Sequence, residues 1–237
     1  MIKLNCDMGE GMAYDAQIMP LIDMANLACG AHAGSDELMR NNVILAKQHC
    51  VQIGAHPSYP DRANFGRVSM QIDPEKLEAL IQQQIGALDV ICRAHDMKLS
   101  YVKPHGALYN DMMRDEVLFE TIVKAVGTYD ASLKLMILSS AKNSEYGKIA
   151  AKQGISLLYE LFADRNYTDE GRLVPRGEQD AVIEDVAKIV KRIVHYQQHG
   201  ELLSITGKVL HLTGDSLCVH GDNEASLAVI KALRDVL

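Results

Sequence analysis

Short apolar runs rich in β-branched residues alternate along this 237-residue chain with longer stretches whose apolar positions recur every three or four residues. The runs at Ile2–Cys6, Ala25–Cys29, Gln52–Ala55, Ser100–Lys103, Leu133–Leu138, Ser156–Glu160 and Leu217–His220 read as buried strands. Between them the spacing predicts helices. Ser35 is a capping residue followed by Asp36 and Glu37, acids that suit the positive end of a helix dipole. Asp73-Pro74-Glu75 opens another helix, whose Leu77, Leu80, Ile81, Ile85, Leu88 and Ile91 form one stripe. Ile183, Val186, Val190 and Ile193 repeat that pattern before Gly200, and a last helix starts near Asn223 with Leu227, Ile230 and Leu233 on its apolar face.

Strand–helix alternation of this kind predicts a mainly parallel sheet covered by helices. Seven strands favour closure into an irregular TIM-like (β/α) barrel, with an open doubly wound sheet as the alternative. Leu202–Ile205 and Val209–Leu212, separated by Thr206-Gly207-Lys208, read as an added hairpin before the last strand. No linker, low-complexity tract or internal repeat interrupts residues 1–237, so one domain is expected.

Composition narrows the function classes. A formal charge of −7 and the lack of a basic stripe argue against nucleic-acid binding. No apolar run reaches the ~18–20 residues that span a bilayer, and the N-terminus does not read as a signal peptide. Five scattered cysteines without a C-x-x-C suggest reduced thiols in the cytoplasm, each a small core filler.

Polar residues gather where the strands end. The first strand runs into Asn5, Asp7 and Glu10, the second into Asn26, Cys29 and His32, the third into His56, Asp61, Arg62, Asn64 and Arg67. The fourth reaches Lys103, His105 and Asn110; the sixth offers Glu160, Asp164 and Arg165, then Arg172 and Arg176; the last ends in His220 and Asp222. In a parallel βα barrel these ends share one face, so the recurrence predicts a single pocket. Four of the nine histidines, His32, His56, His105 and His220, follow strands. His49, His95, His195 and His199 fall near helix C-termini, where an imidazole suits the dipole, and His211 belongs to the hairpin.

Three uses of such a pocket compete. A metal ion would draw ligands from separate strands, with Asp7, His32 and His56 the candidate trio, because no H-x-x-x-H or H-E-x-x-H occurs. Metal-free acid–base work would use the acids and histidines, with Lys103 facing developing oxyanion charge. Anion recognition would use Arg62, Arg67, Arg165 and Arg176. Walker, dinucleotide and nucleophile-elbow motifs are absent from the sequence.

The blocks "LNCDMGEG", "ANLACGAHAG", "GAHPSYPDRANFGR", "VKPHGALYN", "FADRNY", "GRLVPR" and "CVHGD" resemble the signature segments of the LamB/YcsF family, in the expected order from residue 4 to residue 222. Departures are local: Ser35 stands where that family usually has an acid, and Val68 where an Arg often follows "FGR". The resemblance implies a barrel of the glycoside hydrolase/deacetylase type. It also implies ATP-dependent cleavage of 5-oxo-L-proline to L-glutamate, in the role of the A component of a 5-oxoprolinase that works with B and C subunits. ATP would then be a co-substrate, with Mg²⁺ as its counter-ion, and no tightly bound organic cofactor is expected; self-association stays open.

On that footing the expected catalytic set is Asp7, His32, His56, Lys103, His105 and Asp164. Asp7 or Asp164 would be the base, the histidines proton-transfer or orienting groups, and Lys103 the oxyanion or phosphate partner. Substrate contacts are expected from Asn5, Glu10, Asn26, Arg62, Arg67, Arg165, Arg176, His220 and Asp222, with Arg62 or Arg165 clamping the carboxylate. A stand-alone metal-dependent deacetylase or amidohydrolase on a related barrel is the rival enzyme reading, and a binding or scaffold protein the non-enzymatic one.

Overall fold

Seven strands, β1 (Lys3–Met8), β2 (Met24–Ala28), β3 (Gln52–His56), β4 (Leu99–Val102), β5 (Lys134–Leu138), β6 (Ser156–Phe162) and β9 (Ser216–Cys218), pair in parallel around a closed barrel in the order β1-β2-β3-β4-β5-β6-β9. The structure is a computed structural model and describes residues 2–219 and 224–237. Closure excludes the open doubly wound sheet. The expected hairpin is present as β7 (Glu201–Leu203) and β8 (Val209–His211), an antiparallel pair outside the barrel.

The strand pleat sends alternate side chains to opposite faces. On β1, Leu4, Cys6 and Met8 point outward into the main core while Asn5 and Asp7 are left for the interior. The outer face packs against α1 (Asp15–Ile18), α2 (Asp36–Gln48), α3 (Pro74–Ala94), α4 (Gly106–Met112), α5 (Glu116–Tyr129), α6 (Asn143–Lys152), α7 (Val186–His199) and α8 (Glu224–Arg234). The stripe read from α3 is the one that packs: Leu77, Ile81, Ile85 and Leu88 are fully or almost fully buried. Each such side chain contributes roughly 1.5–3 kcal/mol.

Capping follows the sequence signals. Ser35 accepts the Leu38 N–H at the start of α2, and Asp73 accepts those of Glu75 and Lys76 at the start of α3. One boundary differs. Ile183 lies before α7, its N–H bonded to the Asp164 carbonyl, because the Asp185 carboxylate accepts the Lys188 N–H and starts the helix there. The expected start of the last helix at Asn223 lies outside the described residues.

Inside the barrel a small separate cluster of Met24, Tyr101 and Met136 fills the end where the strands begin. Tyr101 crosses the lumen against Gly54, where an added Cβ would lie 2.1 Å from the Tyr101 ring. Glycine at that position is therefore dictated by the close approach of the ring. Residues 163–185, between β6 and α7, fold over the opposite end through the bridges Arg165↔Val182 and Tyr167↔Leu173. Among the described residues no helix is long and apolar enough to cross a membrane.

Candidate active site

The strands open at their C-terminal ends on a cavity of about 310 Å³, a size suited to a small ligand. Its floor is built around Lys103, the residue after β4. The Lys103 Nζ lies 2.8 Å from Asp7 Oδ1, 2.9 Å from Glu160 Oε1 and 3.4 Å from Cys218 Sγ. Burial opposes the ammonium charge, yet the adjacent carboxylates, Asp7 and then Glu160, hold its pKa well above the usual lysine range. Burial also pushes the Cys218 thiol up, more than the neighbouring ammonium pulls it down. Cys218 therefore stays a thiol, and the two carboxylates balance the lysine.

Beneath this trio the polar groups are matched one to one. The Asn26 amide donates to Asp7 Oδ1 at 2.7 Å and to Asn5 Oδ1 at 2.8 Å, while its own carbonyl accepts the Tyr101 hydroxyl at 2.6 Å. Asn5 in turn donates to the Ser216 hydroxyl at 3.0 Å. Tyr109, on α4, donates to Glu160 Oε2 at 2.7 Å. A buried network of this kind, with Glu160 Oε1 meeting Lys103 as an ion pair, fixes the orientation of Asp7 and Glu160 rather than adding much net stability.

Beside the floor stand Glu10, His32, His56 and His105. His56, the last residue of β3, donates from Nδ1 to the Lys103 carbonyl at 2.7 Å. His105 donates from Nε2 to the Phe65 carbonyl at 3.0 Å, and its Nδ1 lies 2.9 Å from His56 Nε2. His32 stacks on His105 with ring centroids 3.7 Å apart, and its Nε2 lies 3.0 Å from Glu10 Oε1. Burial first, and then the neighbouring His56, holds His32 down to about 3. The same causes, with His32 added, hold His105 down to about 2. Burial and the adjacent Asp7 push the Glu10 carboxyl up.

The loop carrying Phe65 holds this arrangement at the cost of a left-handed φ of 56° at a bulky residue. It is locked from the other side by Gly106, where a Cβ would come 2.6 Å from the Gly66 carbonyl oxygen. That oxygen accepts the Ala107 N–H at 2.9 Å.

The profile described as the LamB/YcsF family matches residues 2–237. The chain belongs to the LamB/YcsF family. It is 46% identical to a 5-oxoprolinase A subunit of Pseudomonas putida, the one numbered 2, over 100% of this chain and 93% of that one. It is 46% identical to the 5-oxoprolinase A subunit of Chromohalobacter salexigens over 98% of this chain and 95% of the relative. Among solved structures, the lactam utilization protein from Thermus thermophilus superposes with a TM-score of 0.90 at 35% identity, covering 100% of this chain and 95% of that one. A putative cellobiose-phosphate cleavage protein from Enterococcus faecalis superposes at 0.59 with 10% identity, covering 98% and 90%, a likeness of fold alone.

In this LamB/YcsF barrel the expected residues separate into groups. Asp7, Glu10, His56, Arg67, Lys103, His105, Arg165 and Arg176 line the cavity. Asn5 and Asn26, expected to touch substrate, instead lie fully buried beneath it as supports for Asp7. His32 stands behind His105, away from the cavity lining. Arg62 is turned away from the cavity: its two terminal nitrogens donate to the Gly30 and Gly34 carbonyls at 3.0 and 2.9 Å, so it braces a loop. Asp164 is buried off the cavity, where its charge acts on Arg165 and Arg192. His220 and Asp222 lie outside the described residues.

The metal trio changes as well. The donor atoms that gather within 4.8 Å of one another belong to Glu10, His32, His56 and His105, while Asp7 Oδ1 is taken up by Lys103 and Asn26. The sequence reading gives two groups of the site, Glu160 and Tyr109, no role and takes Cys218 for core filler. Glu160 lies two residues before the end of β6, and Tyr109 sits on a helix one turn beyond His105. For Tyr109 the i, i+4 step from His105 is the signal that sequence offers.

Proposed function

We propose that this chain is the A component of an ATP-dependent 5-oxoprolinase, opening 5-oxo-L-proline to L-glutamate. The observation that carries the reading is the buried Lys103 ammonium, fixed between Asp7 and Glu160 on the floor of a cavity whose walls include Arg67, Arg165 and Arg176. Full-length relatives that bear the name of 5-oxoprolinase A subunits, at 42–46% identity, support it.

The chemistry makes demands that these groups meet. A five-membered lactam is a resonance-stabilised amide with little ring strain, so opening it needs activation by a phosphoryl donor. Transfer of phosphate from ATP to the lactam oxygen makes the ring carbon electrophilic. Water adds there, the C–N bond breaks as nitrogen takes a proton, and the resulting acyl phosphate is hydrolysed by a second water. Arg176 holds the substrate carboxylate, while Arg165 donates from Nε and Nη2 to the Ala181 and Val174 carbonyls and steadies the wall beside it. Lys103 donates to the oxygens of the transferring phosphoryl group, where a preorganised cation meets the charge of the transition state. Asp7, held in place by Asn26 and Lys103, receives the proton of the attacking water and returns it to the departing ring nitrogen.

The sequence has no Walker loop, so ATP with its Mg²⁺ sits on an unconventional surface of this chain or on the B and C subunits. The test is release of ADP and glutamate from 5-oxoproline, measured with this chain alone and with candidate B and C subunits. Turnover that needs this chain supports the reading. No 5-oxoproline-dependent ADP release in any combination containing the folded chain refutes it.

A further inference from the structure

The contacts of His56 and His105 leave two nitrogen lone pairs facing each other. His56 Nδ1 donates to the Lys103 carbonyl, so its Nε2 carries a lone pair in the neutral ring. His105 Nε2 donates to the Phe65 carbonyl, so its Nδ1 does the same. These two atoms are 2.9 Å apart, and the Glu10 Oε1 oxygen lies 3.5 Å from His105 Nδ1 and 4.0 Å from His56 Nε2. Two imidazole lone pairs thus face each other with no hydrogen between them, and the Glu10 oxygen beside them already accepts from His32 Nε2. A cation held by both nitrogens and the carboxylate reconciles the contact.

We propose that Glu10 Oε1, His56 Nε2 and His105 Nδ1 hold one divalent transition-metal ion of the zinc class, with a coordination position left open toward the cavity. Bonds of about 2.0–2.1 Å in a tetrahedral site place donor atoms about 3.4 Å apart, and the three separations here, 2.9, 3.5 and 4.0 Å, straddle that value. All three residues line the cavity, which supplies the open position. Each ring's other nitrogen is committed to a backbone carbonyl, the support that orients metal-binding histidines. His32 stands outside the set: its ring is parallel to His105 within 5°, so the two lone pairs do not converge, and it supports Glu10 by donating to Oε1 at 3.0 Å. Two imidazoles and one carboxylate select a zinc-like ion over Mg²⁺, which prefers oxygen.

The proposal concerns binding and does not depend on the oxoprolinase reading. The tag-free, full-length chain, stripped with chelator, is titrated with Zn²⁺ by calorimetry and with Co²⁺ by visible absorption, with Mg²⁺ as comparator. One Zn²⁺ per chain and Co²⁺ d–d bands of a low-symmetry site are expected, with Mg²⁺ far weaker. Glu10→Gln and His56→Ala should each weaken Zn²⁺ by more than the roughly 10–100-fold typical of losing a supporting contact, and His32→Ala by that smaller amount. Near-UV circular dichroism establishes that each variant is folded, and His105→Ala replaces any that is not. Failure to take up Zn²⁺ stoichiometrically, or uptake unchanged in the folded ligand variants, overturns the proposal. So does nitrogen NMR showing a proton held between His56 and His105 in protein saturated with Zn²⁺.

Discussion

At the end of the barrel where the strands begin, the lumen is filled by Met24, Tyr101 and Met136; two residues further along the same three strands stand Asn26, Lys103 and Leu138. The step of two also carries β1 from Asn5 to Asp7, β3 from Gly54 to His56 and β6 from Leu158 to Glu160. One pleat therefore separates an inert plug from a charged floor. The plug gives the barrel a dry base, and the fixed dipoles of Asn5, Asn26 and Tyr101 form the transition between the two. Buried charge is tolerable at the upper layer because water reaches it from one side only and every carboxylate there has a partner.

The contrast can be broken most severely at Lys103. Replacing it by Met leaves Asp7 and Glu160 buried without their cation, and should lower turnover by about 10²–10³-fold, the cost of losing one preorganised donor. Stability should fall with it, by about 3–5 kcal/mol, as for breaking a buried pair. Met136→Ala in the plug should cost a comparable amount of stability, about 2–5 kcal/mol, with turnover nearly unchanged. Urea melts and steady-state assays on the two variants separate the layers. A plug variant as inactive as Lys103→Met would mean that the layers are not functionally distinct.

Gly54→Ala tests the seam. Its methyl group would overlap the Tyr101 ring, displacing the hydroxyl from Asn26 and loosening the hold on Asp7. A loss of about 1–3 kcal/mol is expected from the overpacking, with reduced turnover. Adding Tyr101→Leu should recover stability by relieving the clash, without recovering activity. Thermal melts of the single and double variants would show additive losses if no such clash exists.

How far this was legible from sequence follows from the same geometry. The strands were readable because their outward faces are apolar and their ends are polar, and closure followed from their number. Asp7, Lys103 and His105 were readable because a strand end fixes where a side chain starts. Arginine defeats that reasoning: its long stem lets tertiary neighbours decide its direction, so Arg62 and Arg67, five residues apart on one loop, turn to different sides. Asn5 and Asn26 misled for a different reason. They occupy inward positions, but one pleat too low to meet a ligand. Cys218 looked like filler because burial is all that sequence shows of a cysteine, whereas its neighbour Lys103 lies 115 residues away in the chain.

A smaller effect sharpens the rim. Arg176→Gln removes an exposed cavity-wall guanidinium and should raise the KM for 5-oxoproline by about tenfold or more, the worth of one charge-assisted hydrogen bond. Arg62→Gln, on the far side of its loop, should leave that KM alone. An equal rise in both would place the carboxylate elsewhere.

The smallest effect belongs to the outer core rather than the lumen, and it has a definite sign. Burial pushes the thiols of Cys29 and Cys92 up to about 12, against about 8.5 in an unfolded chain. Below pH ~8.5 both states hold these protons and stability is unaffected by them. Above it the unfolded state releases protons that the folded state keeps, so stability declines as pH rises, by about 1.4 kcal/mol per pH unit for each thiol, until the folded values are reached. Cys92→Ala should remove one thiol's share of that slope between about pH 9 and 10 in urea melts, whatever it does to stability near neutrality. An unchanged slope would mean that water reaches the thiol in the folded chain, and that the shell around the barrel is less dry than the plug inside it.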